Sequence, residues 1–148
     1  MNLRDTDRLA RALKEVSVRY ARNSEGMAIA QMVHTCHTGV PNVSWTAIYP
    51  YWLVAEKDGE VIGCVQLCYS APVGRLEFMS FVEGLPYRTR ALAVKSMLML
   101  ATLTLQKATG ASAVAGCLAF DQGRFKEILK AEGCRVVMSA NVMVRTIQ

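Results

Sequence analysis

The sequence predicts one α/β domain, with a mixed central β-sheet and helices on both of its faces. Three observations carry that prediction. Apolar periodicity alternates along the chain between helical and strand repeats, in the order helix, strand, helix, hairpin, strand, helix, strand, helix, strand. Lys57-Asp58-Gly59 stands between two strand-like runs as a hairpin signal. Residues 75–93, RLEFMSFVEGLPYRTRALA, pass from a strand through a turn into a long apolar helix that opens on two arginines and small residues. At 148 residues, 52% hydrophobic and 20% charged, the chain can bury one sizeable core and is too apolar for a disordered segment.

Residues 1–15 read as an amphipathic extension: Leu9, Leu13 and Val16 recur at helical spacing, with Arg4, Arg8 and Arg11 on another face. It is either a helix packed on the domain edge or a docking helix for an acidic partner. The domain proper spans 16–148. Residues 16–21 alternate as a short strand. Asn23 or Ser24 is placed to cap a helix through Met27, Ile29, Ala30 and Val33, and Gly39-Val40-Pro41-Asn42 breaks it. The aromatic segment 43–50 is ambiguous. Residues 51–56 and 60–69 form the hairpin strands, and 75–83 a third strand after the turn Ala71-Pro72-Val73-Gly74. A helix over 89–108 closes at Gly110. Residues 111–119 lack alternation, which predicts a strand covered on both faces. A helix over 123–132, apolar through Phe125, Ile128 and Leu129, ends at Gly133. Residues 135–147 close the chain as strand material, with a bend at Ser139-Ala140-Asn141.

Composition narrows the function classes. The most apolar runs, 97–105 and 111–120, fall short of the ~20 residues that span a bilayer, and the charged N-terminus lacks the apolar stretch of a signal peptide. A cytoplasmic protein without membrane attachment is expected. Cys36, Cys64, Cys68, Cys117 and Cys134 are an odd number scattered through apolar segments, so they read as buried or half-buried small hydrophobes in a reducing compartment. His34-Thr35-Cys36-His37 offers ligand types but no second pair at zinc spacing. No metal is expected, and both histidines read as ordinary helix-end or loop residues. The net charge of +5 favours anionic partners. Its dispersed basic residues, with no aromatic–basic stripe, weigh against nucleic acid. A homodimer through sheet edges or the N-terminal helix is compatible with the pattern.

The first turn of a helix has unpaired N–H groups at the positive end of its dipole; small residues there admit a phosphate, and arginines at the rim add charge-assisted hydrogen bonds. Arg88-Thr89-Arg90-Ala91-Leu92-Ala93 fits R/Q-x-x-G/A-x-G/A. In this motif, in the hairpin phrase WLVAEKDGEVIGCVQL and in the late phrase ILKAEGC, in their order and spacing, the chain resembles the GNAT superfamily of acetyl-CoA-dependent N-acyltransferases. The resemblance covers nearly everything from Val16 onward. It implies that the amides of Arg88, Thr89, Arg90, Ala91, Leu92 and Ala93 cradle the pyrophosphate of acetyl-CoA, with Arg88 and Arg90 as cationic neighbours. It implies that the strand end at Phe81 and Val82 pairs with the pantetheine arm and offers an amide to the thioester carbonyl. The activity implied is direct transfer of an acetyl group to a primary amine of a small molecule or a protein. Three positions depart from the family pattern: Ala91 stands for the usual Gly, Cys134 for Phe, and Leu129 where many members carry a tyrosine acid. A thiolate leaves readily at neutral pH, so turnover does not require that acid. Leu129 and the basic extension favour the rival reading, a non-catalytic GNAT-like module that binds CoA or a protein.

Glu77 is the first candidate for the general base. It lies eleven residues before Arg88, as in the histone-acetyltransferase-like branch of the family, and its neighbours Leu76, Phe78 and Met79 are expected to raise its pKa toward neutrality. Its plainer reading is an edge carboxylate paired with Arg75 or another arginine. Glu83 is the alternate base, and a thiol among Cys64, Cys68 and Cys117 the third option. In the family's fold the acceptor groove would fall on 32–51 and 139–147, with only Glu56 as a nearby acid. That points away from polycations and toward a small amine, an amino acid or a protein terminus.

Overall fold

Asp58 and Gly59 take positive φ angles of 51° and 78°, the two-residue turn whose twist suits a hairpin. Around that turn a computed structural model, which describes Asp7 and residues 15–37, 48–116 and 123–136, builds one mixed sheet in the order β1-β2-β3-β4-β5. The strands are β1 (Ser17–Tyr20), β2 (Trp52–Lys57), β3 (Glu60–Cys68), β4 (Val73–Phe81) and β5 (Ala113–Gly116). The first four are antiparallel neighbours, and β5 runs parallel to β4. Three helices complete the described structure: α1 (Gly26–Cys36), α2 (Tyr87–Thr109) and α3 (Gly123–Ala131).

Alternation along β2 and β3 divides the core. Leu53, Ala55, Val65 and Leu67 face α2, whose Ala93, Val94, Met97, Ala101 and Leu105 recur at one-turn spacing on its buried side. Trp52, Val54 and Cys64 face α1 through Ile29, Met32 and Val33. Helices on both faces were expected, and both are present. Arg19 fastens β1 to its surroundings, donating to Glu25 at 2.7 Å and to Glu56 at 2.9 Å.

Several local expectations change. Asn23 and Ser24 lie in a short 3-10 turn and do not cap α1; the Asn23 Oδ1 accepts from the Ile48 and Tyr49 amides instead. β4 starts at Val73, two residues early, directly after Pro72. β5 is not covered on both faces: it is a short edge strand of the described sheet, with Ala113, Ala115 and Gly116 exposed. Cys134 is exposed rather than buried. Asp7 and Glu15 are helical; the remainder of the 1–15 extension lies outside the described residues, as do the 39–42 break, most of 43–50, Cys117 and the strand expected over 137–147.

Candidate active site

The site begins with an irregularity in β4. Between Gln66↔Glu77 and Cys64↔Ser80 the chain advances three residues on β4 against two on β3, and the extra residue, Phe78, takes φ 53°. A bulge with a non-glycine residue in the left-handed region costs about 1–3 kcal/mol and persists only where the surroundings hold it. Phe78 is held by packing toward the α1 side of the sheet and by the His37 ring, edge-on at 5.6 Å.

Beyond the bulge the outer edge of β4 has no strand neighbour among the described residues. β5 pairs with β4 only from Val73↔Ala113 to Leu76↔Gly116. Gly116 allows the approach there, since a Cβ would lie 2.8 Å from the Leu76 carbonyl oxygen. Among the described residues, 77–81 therefore have a strand neighbour on the β3 side alone. The Val82 amide donates to the Ile62 carbonyl at 3.0 Å, and antiparallel alternation then turns the Phe81 N–H and C=O away from β3. The Phe81 carbonyl accepts from Cys36 Sγ at 3.3 Å, and the Met79 carbonyl accepts from His37 Nε2 at 3.1 Å. The C-terminal end of α1 thus meets the outer edge of β4.

The loop after β4 delivers the chain into α2 through Gly84, at φ 72°. Pro86 is the N-cap and gives no side-chain hydrogen bond, and the first turn holds no acid. Arg90 N–H donates to the Pro86 carbonyl at 3.0 Å, so the amides without an intrahelical acceptor are those of Tyr87, Arg88 and Thr89. This narrows the sequence expectation: the amides of Ala91, Leu92 and Ala93 lie within the helix, and Ala93 is fully buried in the core. The Val82 amide is likewise engaged, which leaves the Phe81 amide as the one directed outward.

The two arginines behave differently. Arg88 projects into solvent, its side chain 83% exposed, and reaches Glu15 at 3.7 Å. Arg90 folds back over the Phe81 ring, 5.5 Å from its centroid, and its Nε is buried with no hydrogen-bond partner among the described residues. A buried guanidinium N–H without an acceptor is costly, and this one borders a small cleft of about 100 Å³ between Cys36, Met79, Phe81 and Phe125. The donor set fits a phosphate- and carbonyl-bearing cofactor: uncapped amides at the helix start, an orphaned guanidinium beside them, and an outward backbone edge. Leu129 packs against the core.

On the other side of Phe81 a larger cavity, about 300 Å³, opens between α1 and the end of β4, lined in part by Met32, Val82 and Glu83. Glu77 lines neither cavity. It is half-buried opposite Gln66, makes no ion pair among the described residues, and adds its charge to burial in raising the Cys68 thiol pKa. Burial also pushes the Cys64 thiol up, so neither strand cysteine is a ready nucleophile. Sequence reasoning missed Cys36 and His37. They lie 45 and 42 residues from their β4 partners, and no periodicity in the sequence signals the meeting. Among the described residues no three His, Cys, Asp or Glu side chains group as metal ligands, and no helix is long and apolar enough to cross a membrane.

In architecture the chain has a GNAT-like α/β fold. No protein-family model matches the sequence, and no curated protein matches it. Among solved structures it is similar to the aminoglycoside acetyltransferase meta-AAC0020 from an uncultured soil metagenomic sample, with a TM-score of 0.66 over 91% of this chain and 98% of that one, at 4% identity. It is also similar to the aminoglycoside N-acetyltransferase AAC(6')-Iy in complex with CoA, with a TM-score of 0.64 over 88% and 94%, at 16% identity. A transcriptional regulator from Bacillus halodurans has a TM-score of 0.66 over 88% and 99%, at 12% identity. At such identities the likeness is one of fold.

Proposed function

We propose that the chain is an N-acetyltransferase that moves an acetyl group from acetyl-CoA to a primary amine by direct attack. The observation that carries this reading is the pairing of the uncapped α2 start with the orphaned Arg90 Nε at the outer edge of β4. The Tyr87, Arg88 and Thr89 amides and the helix dipole would hold the pyrophosphate, and Arg90 would supply its free N–H to an oxygen of the cofactor. When bound, acetyl-CoA supplies an activated thioester. The Phe81 amide is placed to donate to its carbonyl. Occupation of that edge by the pantetheine arm would require the Cys36 and His37 contacts to yield.

The amine must lose a proton before it attacks. Of the two carboxylates on this segment, Glu83 lines a cavity and Glu77 does not, so we assign the proton to Glu83 and keep Glu77 as the alternative. Loss of a general base costs about 100-fold or more in kcat. Such a loss in Glu83→Gln, with Glu77→Gln near the parent, supports the assignment, and the reverse pattern transfers the role to Glu77.

Calorimetric titration with acetyl-CoA tests the reading itself. Micromolar binding that weakens at least about tenfold in Arg88→Ala/Arg90→Ala is expected, since each hydrogen bond to a charged group contributes about 1.5–3 kcal/mol. No binding by a folded protein would end it. Leu129, packed in the core where the family's tyrosine acid is usual, favours a second reading, a CoA-binding module without turnover. Binding without thiol release in an amine screen is the result that would select it.

A further inference from the structure

We infer that the acceptor is a primary monoamine bearing a short apolar group, bound in the cavity between α1 and the end of β4; this rests on the acetyl-transfer reading above. At about 300 Å³ the cavity is at the small end for ligand sites. Its floor is apolar, with Met32 and Phe81 buried and Val61 and Val82 half-buried beside them. Its rim is polar: Gln31, Thr35 and Glu83 are exposed there. The Thr35 hydroxyl already donates to the Gln31 carbonyl at 2.8 Å, so toward a ligand it presents lone pairs. Among the described residues, Glu83 is the only charged side chain in the lining.

That chemistry matches one ammonium at the rim and a hydrocarbon below it. A polyamine or aminoglycoside would bring several cations to one carboxylate. An amino acid would bring a carboxylate toward Glu83 with no cation among the described lining residues to receive it, and like charges at close range are unfavourable. The position thus separates amines that share one side chain and differ by one charge.

The test is steady-state acetyl transfer, read by thiol release, with isoamylamine, leucine, spermidine and kanamycin, together with acetyl-CoA affinity by calorimetry. Isoamylamine is expected to exceed the others in kcat/KM by about tenfold or more, the factor that 1.4 kcal/mol of mispaired charge gives. Ala28→Phe, on the exposed face of α1 that borders the cavity, is expected to lower kcat/KM for isoamylamine while acetyl-CoA affinity stays at the parent value. A preference for leucine, spermidine or kanamycin with acetyl-CoA binding intact overturns the inference and leaves acetyl transfer standing. So does an unchanged kcat/KM in folded Ala28→Phe; the substrate panel decides without the variant. Absence of acetyl-CoA binding removes both together.

Discussion

At its C-terminal end α2 is closed in every available way. Gly110 takes the left-handed conformation at φ 73° and donates to the Gln106 carbonyl, Thr109 Oγ1 donates to the Leu105 carbonyl and accepts from the Ala111 amide, and Lys107 sits in the last turn. At the other end Pro86 offers no cap, no acid lies in the first turn, and Arg88 and Arg90 place two cations against the positive pole of the dipole. One end is satisfied by the chain itself. The other has no side-chain cap, and on the acetyl-transfer reading its unpaired amides are left for an anion.

Substitutions at the two ends should therefore divide stability from affinity. The largest effect belongs to the closed end. Leu105 is fully buried and stands against Gly74, so Leu105→Ala should cost about 3 kcal/mol, read as a lower urea midpoint, with acetyl-CoA affinity of the folded protein retained. Gly110→Ala places a Cβ at positive φ and should cost about 1 kcal/mol, a few degrees in Tm, again with affinity retained. A comparable loss of affinity in either variant would break the division.

The Arg19 clasp, remote from both ends, calibrates the comparison through pH. Hydrogen bonding to Arg19, more than any other cause, holds the Glu25 carboxyl below the usual carboxylate range. Its contribution is present above the unfolded pKa and disappears as pH falls through the lowered folded value. Glu25→Gln should cost about 1 kcal/mol at neutral pH and make the decline of stability in acid shallower; parallel acid-unfolding curves for variant and parent would refute this. The smallest effect on stability is at the uncapped end. Arg88→Glu gains about 0.5 kcal/mol against the helix dipole but exchanges the Glu15 contact at 3.7 Å for a like-charge pair, so the stability of the ligand-free protein should stay near the parent value while acetyl-CoA binding weakens several-fold. Unchanged acetyl-CoA affinity in that variant would break the division.

Local chemistry was legible in the sequence; juxtapositions were not. Asp58-Gly59, Gly110 and Gly133 announce their turns because few other residues accept positive φ, and each lies where the pattern puts it. The arginines at the head of α2 are equally plain as a motif. Their different fates are not: Arg90 turns inward because Phe81 offers it an aromatic face, and Gly63 makes room for that ring, since a Cβ there would lie 2.9 Å from it. The bulge at Phe78 adds one residue to a strand whose composition is ordinary. β5 reads as buried because alanine, valine and glycine look the same where they are exposed, as Ala113 and Ala115 are, as where they are covered. The meeting of Cys36 and His37 with β4 depends on how α1 crosses the sheet, which periodicity alone does not give.

Phe81 is a wall of both cavities. A substitution at this one position therefore alters both spaces at once. On the acetyl-transfer reading, a change at Phe81 that admits a bulkier donor would also redraw the acceptor cavity, so that selection on one ligand would be felt by both.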